Sequence, residues 1–284
     1  QFISPSFNSQ GWTDSFDLNS IAHGTSPAHT IFGEHPSGDQ YADYLHHVAK
    51  ANDINVRTET EVMAIRPFKD GDGFEVDVTP AGEPNEAKKE TLRSRYVVWA
   101  AGEFQYPRAA SDVAFEGGEH CLHNSQVHSW SELSGNDFVV IGGYESGMDA
   151  AINLSKHNKR CTVISSTAYW NLATDDPSTE LAPFTADRVR KACASEVPPK
   201  LLAPLRVESV KKLASGEYEV HAKRVKTEDK RDAINDDGEE RLGLHRLPLK
   251  AIGTPDEDVP DEVTFTTPRK PLLCTGFAGS VKVG

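Results

Sequence analysis

The residues best placed to do chemistry in this 284-residue chain are the members of one glycine turn. Phe138-Val139-Val140-Ile141 is an apolar run that enters Gly142-Gly143-Tyr144-Glu145-Ser146-Gly147. The stretch 147–157 (GMDAAINLSKH) then reads as a helix, and Cys161-Thr162-Val163-Ile164-Ser165 as a returning strand. Strand, glycine turn, helix and strand in succession are the setting that a dinucleotide-binding fingerprint requires. In such a unit the first glycine, Gly142, permits the sharp reversal, and the third, Gly147, lets helix and strand pack closely. A pyrophosphate then sits against the unpaired N–H groups and positive dipole end of the helix. Tyr144 stands where a second glycine would bring the backbone nearest the phosphates, and Glu145 opposes an anion unless its side chain turns outward. The same turn also suits an α/β domain that binds no ligand, and the residues alone leave that alternative open.

The end of the second strand bears on which nucleotide would bind. An acid about 20 residues beyond the turn holds the ribose hydroxyls of NAD. Here stand Ser165, Ser166 and Thr167, three hydroxyls and no carboxylate, which suits the 2′-phosphate of NADP. Arg188, Arg190 and Lys191 read as a solvated helix face.

The rest of the composition narrows the field. With 30 basic and 43 acidic residues the net charge is −13, which repels nucleic acid and anionic membrane surfaces. No run approaches the roughly 18 consecutive apolar residues of a membrane span, and the start has no signal-peptide pattern. The expectation is a cytoplasmic protein with a small-molecule substrate and no nucleic-acid or membrane partner. Cys121, Cys161, Cys193 and Cys274 form no Cys-x-x-Cys or zinc spacing and read as small buried hydrophobes. Eleven histidines show no His-Glu-x-x-His grouping, so no metal is expected. His120, His123 and His128 read as structural or surface residues, and no catalytic residue is identifiable by type and spacing.

The elements that must position the turn follow from periodicity. A helix is expected over 38–51, capped by Ser37, then strands at 54–58, 61–66, 74–79 and 92–100. The last of these contains Tyr96-Val97-Val98-Trp99-Ala100-Ala101-Gly102, which reads as buried on both faces. A helix at 186–195 and strands at 205–210 and 217–223 come after the turn. The stretch 225–262 reads as a charged, solvated connection, and Pro271 to Gly276 as a final strand.

Five stretches share a resemblance. VVIGGYESGMDAAINLSK (139–156) resembles the NADP-binding turn of flavin-dependent oxidoreductases related to bacillithiol disulfide reductase and the flavin-containing monooxygenases, in which a polar residue often replaces the second glycine. YVVWAAGEFQYPR (96–108) resembles the strand and turn leading out of the flavin domain, and PLLCTGFAGS (271–280) the matching turn leading back. Thr60-Glu61-Val62 resembles the strand that meets the adenine of the flavin. FEGGEHCLHNSQVHSW (115–130) is similar to a monooxygenase stretch, with His123 two places late.

The resemblance implies an α/β fold in which a Rossmann-like NAD(P)-binding domain (135–262) is inserted in an incomplete FAD-binding (βββ/α) domain formed by 1–134 and a return strand in 263–284. The chain would then be an internal fragment of a flavoprotein, one that admits a homodimer. Its implied cofactors are NADP, held by Gly142, Gly143, Tyr144, Glu145, Ser146, Gly147, Ser165, Ser166 and Thr167, and FAD, met by Val62, Ala101, Gly102, Thr275 and Gly276. The implied activity is hydride transfer from NADPH to flavin and on to a disulfide or other small acceptor. A flavin-dependent monooxygenase and a non-catalytic nucleotide-sensing module are the alternatives.

Overall fold

In the computed structural model, which describes residues 21, 37–69, 71–82, 88–102, 106–108, 110–172, 179–225 and 250–278, the first element is a helix, α1 (Gly38–Ala51). A capping box starts it: the Gln40 N–H donates to Ser37 Oγ and the Ser37 N–H to Gln40 Oε1, satisfying two donors that the first turn leaves open. Tyr44 and Val48 are its buried face. Three antiparallel strands follow, β1 (Thr60–Pro67), β2 (Phe74–Pro80) and β3 (Glu90–Ser94), in the order β1-β2-β3. Asp77, in the middle strand, is buried and accepts from Lys89, Arg66 and Thr91. These hydrogen bonds hold its carboxyl well below the usual carboxylate range.

Two strand expectations fail in this unit. Among the described residues, 54–58 pair with no strand, and β3 stops at Ser94. Ser94 lies opposite Phe74, the first residue of β2, so the ladder has no partner beyond that point. Tyr96 and Val98 are accordingly 73% and 88% exposed rather than buried. A β-type composition makes a strand only where a neighbouring strand can pair with it.

The second compact unit begins at Ala100. It contains β4 (Tyr106–Pro107), β5 (Leu122–His123), β6 (Asp137–Ile141), α2 (Glu145–Lys156), β7 (Arg160–Ile164), α3 (Pro183–Cys193), β8 (Lys200–Leu202), β9 (Leu205–Lys212), β10 (Tyr218–Arg224), β11 (Glu262–Thr267), β12 (Leu272–Leu273) and β13 (Phe277–Ala278). Five of these form a parallel sheet in the order β5-β12-β6-β7-β8, and three an antiparallel meander in the order β11-β10-β9. Successive side chains of a strand point to opposite faces, and here both faces are covered. Val140, Val163 and Leu201 meet Met148, Ile152 and Leu154 of α2 and Val189 of α3 on one side. Val139, Ile141, Ile164, Leu202 and Leu273 meet Leu205, Val207, Val210, Val220 and Ala222 of the meander on the other. This two-sided burial explains the unbroken apolar run in β6.

The units divide between Trp99 and Ala100, ahead of the boundary expected at 134/135. The reason is hydrogen bonding: β12 runs parallel between β5 and β6, so segments on both sides of the glycine turn belong to its sheet. The sequence reading also missed β8 and β11. In β11 the signal is the alternation that turns Val263 and Phe265 inward while Glu262, Thr264 and Thr266 face out. Most of the acidic connection lies outside the described residues. Its last part is tied down by Arg224, which donates to Asp256, Asp261 and the Val259 carbonyl.

Two stability predictions follow from this packing. Leu273 has no exposed surface, and Leu273→Ala should lower the unfolding free energy by about 2–5 kcal/mol in urea denaturation. A carboxyl whose folded pKa lies below its unfolded value of about 3.9 contributes stability that is full above that range and lost as pH falls through the folded pKa. Asp77→Asn should therefore lower the melting temperature at neutral pH and flatten its decline under acid, read by thermal denaturation across pH.

Candidate nucleotide-binding site

Three glycines build the turn after β6, each for a different steric reason. Gly142 has φ +106°, and a β-carbon there would lie 2.5 Å from the Cys274 carbonyl oxygen, next to the end of β12. A β-carbon on Gly143 would lie 2.6 Å from Ser165 Oγ, and one on Gly147 1.9 Å from the Gly142 carbonyl oxygen. Only glycine lets the first turn of α2 rest on the strand end in this way. The helix has Tyr144 as its N-cap residue with no side-chain cap, and its first backbone bond runs from the Met148 N–H to the Tyr144 carbonyl. The N–H groups of its opening turn thus have no intrahelical acceptor, the arrangement that receives an anion.

Tyr144 and Glu145 turn aside to the approach to α3. The Tyr144 hydroxyl donates to the Glu180 carbonyl at 2.9 Å, and its ring lies 5.0 Å from that of Tyr169. Glu145 accepts from the Ala182 N–H at 2.5 Å and from Thr185 Oγ1 at 2.7 Å. Ala182 is the N-cap position of α3 and has no side-chain cap of its own, so the Glu145 carboxylate serves as that cap. The negative charge that would oppose a phosphate is bound at a different helix start.

Ser165 is buried, donates to the Thr167 carbonyl at 2.7 Å and receives the Thr167 N–H at 3.4 Å. Its hydroxyl shapes the loop, while Ser166 is exposed and Thr167 half-buried. Through Gly143 and Ser165 the fold brings the turn and the end of β7 together. The three cations on α3 are each engaged. Arg188 differs from the expected solvated residue: both its terminal nitrogens lie 3.1 Å from Asp149 Oδ1 and its side chain is buried. Arg190 donates to the Lys250 and Trp170 carbonyls, and Lys191 pairs with Asp187.

The residues assigned to flavin are distributed over both units. Val62 is in the first and is exposed; Ala101 and Gly102 open the second, also exposed. Thr275 donates to the Arg108 carbonyl at 2.7 Å, and the Gly276 carbonyl accepts the Arg108 N–H at 3.0 Å beside the β4–β13 pair. His123, 1% exposed, completes this cluster, with Nε2 3.0 Å from the Gly276 carbonyl and Nδ1 2.8 Å from Ser125 Oγ. Burial pushes its pKa down, so the ring is neutral, with Nε2–H donating to Gly276 and Nδ1 accepting from the Ser125 N–H. Both ring nitrogens are thus engaged within the fold. Periodicity gave no sign of the contact, because its partner lies across the chain in the final strand turn.

The cysteines are poor nucleophiles in this fold. Burial pushes the Cys121 and Cys161 thiols up to about 12, and it raises those of Cys274 and Cys193 as well. Among the described residues no three His, Cys, Asp or Glu side chains are grouped to hold a metal, and no helix is long and apolar enough to cross a membrane.

The geometry separates two neighbouring substitutions. Gly147→Ala forces a β-carbon against the Gly142 carbonyl and should cost about 1–3 kcal/mol of stability while abolishing nucleotide binding. Glu145→Ala removes the α3 cap and should cost about 0.5–2 kcal/mol in urea denaturation. It should leave calorimetric nucleotide affinity unchanged; a tenfold rise would mean that the carboxylate faces the phosphates.

Several known proteins are similar to this chain. Uncharacterized oxidoreductase CzcO of Bacillus velezensis is 27% identical over 157 residues, 52% of this chain and 42% of that protein. Indole-3-pyruvate monooxygenase YUCCA4 of Oryza sativa subsp. japonica is 28% identical over 147 residues, 49% of this chain and 33% of that one. The chain thus spans less than half the length of these relatives. Among solved structures, bacillithiol disulfide reductase Bdr (YpdA) from Bacillus cereus matches with a TM-score of 0.54 at 19% identity, covering 87% of this chain and 57% of that one. The ornithine N-hydroxylase KtzI of Kutzneria sp. 744 matches with a TM-score of 0.58 at 13% identity, covering 88% and 61%. At these identities the likeness is one of fold, the α/β architecture of two-dinucleotide flavoproteins. The model of the pyridine nucleotide-disulphide oxidoreductase family matches residues 1–237, most of the chain, and the chain belongs to that family.

Proposed function

We propose that this chain is the nucleotide-binding part of an NADPH-dependent flavoprotein oxidoreductase. The observation that carries the reading is the uncapped start of α2, held against Gly142 by Gly147, with the Glu145 carboxylate drawn away to α3. The backbone N–H groups of Glu145, Ser146 and Gly147 would receive the pyrophosphate, and Gly142 and Gly143 would give it room. Ser166 and Thr167 would take the 2′-phosphate on a loop that Ser165 shapes from beneath. Ala101, Gly102, Thr275 and Gly276 of the second unit would line the flavin. The Kutzneria hydroxylase structure carries reduced FAD and NADP+, which supports the same pair of cofactors here. When bound, those cofactors supply the hydride chemistry, and the protein supplies position and electrostatics.

The acceptor comes from outside the chain in this reading. All four cysteines are free and their thiols are raised by burial, so none is positioned as a thiolate relay at neutral pH. Free thiols also suit a reducing compartment, which supports the cytoplasm. A small disulfide or another diffusible acceptor would take the electrons. Monooxygenase chemistry is the second reading, supported by the likeness to YUCCA4.

Calorimetric titration tests the nucleotide assignment. NADPH should bind at least tenfold more tightly than NADH, and Ser166→Ala/Thr167→Ala should reduce that preference. Equal affinity for the two nucleotides would defeat the 2′-phosphate assignment. In a flavin-loaded preparation, oxygen uptake driven by NADPH and tightly coupled to substrate would favour the monooxygenase over the reductase.

A further inference from the structure

Two tyrosine rings meet beside the glycine turn. Tyr144 stands in the place of a second glycine, and its ring centre lies 5.0 Å from that of Tyr169 at an interplanar angle of 57°. The Tyr144 hydroxyl is engaged by the Glu180 carbonyl, yet the residue is 38% exposed, and Tyr169 is half-buried. The pair therefore keeps aromatic surface open to solvent at a fixed place.

Tyr169 is presented on a backbone that its neighbours hold. It opens a single 3-10 turn, Tyr169–Asn171, in which Trp170 is buried. A β-carbon on Gly143 would lie 3.0 Å from the Trp170 ring, so this ring rests directly against the glycine turn. The Trp170 carbonyl accepts from Arg190 at 3.3 Å, and Asn171 exchanges two hydrogen bonds with the Ile252 backbone, at 2.9 and 3.0 Å. A ring so fixed loses little freedom when a ligand meets it.

We propose that the Tyr144–Tyr169 pair stacks against the adenine base and selects the adenosine end of the dinucleotide, an inference that rests on the nucleotide reading above. The covalent structure of NADPH places the base. One ribose carries the pyrophosphate on its 5′ carbon, the extra phosphate on its 2′ carbon and adenine on the adjacent 1′ carbon. With the pyrophosphate at Glu145 to Gly147 and the 2′-phosphate at Ser166 and Thr167, that ribose bridges the two positions and its base emerges beside the second. Tyr169 lies two residues beyond Thr167, and Tyr144 immediately precedes the N–H groups of the pyrophosphate position. An aromatic face there receives a planar base by stacking. Tyr144 thus supplies a ring where a glycine would supply room.

NADPH and 2′,5′-ADP, which share the adenosine end, are the probes. In NMR of the unaltered chain, adenine H2 and H8 of bound 2′,5′-ADP should shift upfield and show nuclear Overhauser contacts to the Tyr169 ring. In calorimetry Tyr169→Ala should weaken both probes by the same factor, about fivefold or more, as expected for loss of one base–ring stack. Tyr169→Phe keeps the ring and should bind within about twofold of the unaltered chain. Tyr144→Gly restores the usual glycine and should nevertheless weaken both probes at least threefold. If Tyr169→Ala does not fold, the Overhauser contacts and Tyr144→Gly decide. Saturable NADPH binding without contacts between adenine and Tyr169, with undiminished affinity in a folded Tyr169→Ala, or with tighter binding in Tyr144→Gly would each overturn the stacking assignment alone. Failure of the unaltered chain to bind NADPH would overturn it together with the nucleotide reading.

Discussion

The missing β-carbon at Gly147 governs the geometry of the second unit. It lets the opening turn of α2 lie on the Gly142 carbonyl, and that contact aims the helix N-terminus at the carboxyl edge of the parallel sheet. Two further contacts lock the same turn. Gly142 leaves room for the Cys274 carbonyl after β12, and Gly143 leaves room for Ser165 after β7. Strand ends distant in sequence thereby converge on one small volume, and the burial of both sheet faces keeps them there.

Charge placement completes what the steric contacts begin. A glutamate in the first helical turn would ordinarily compete with a bound anion, yet Glu145 accepts from the Ala182 N–H and the Thr185 hydroxyl and stabilises the start of α3. Arg188 and Asp149 tie the same two helices a turn further on. The carboxylates of α2 are thus employed in joining the helices. The positive end of α2 is left without a side-chain cap.

Much of the candidate site was legible in the sequence because it is local. Gly142 to Gly147 and Ser165 to Thr167 lie in one strand-turn-helix-strand unit, where spacing and residue type carry the information. The capping box at Ser37 and Gln40 was readable for the same reason. What could not be read depends on distant partners. Tyr96 to Ala100 has strand composition but meets no strand among the described residues, since β2 begins opposite Ser94. Neither the capping role of Glu145 nor the bond from His123 to the Gly276 carbonyl has a periodic signature, because each joins elements separated by long stretches of chain. Arg188 looked like a surface cation until packing placed Asp149 against it.

Backbone amide mapping of the isotopically labelled chain on addition of NADPH tests most directly whether the uncapped start of α2 receives a dinucleotide. The largest NMR shift changes should fall on the amides of Glu145, Ser146 and Gly147, with a second group at Ser166 and Thr167. Saturable binding that leaves those amides unmoved and shifts others would contradict the assignment, and so would the absence of any change.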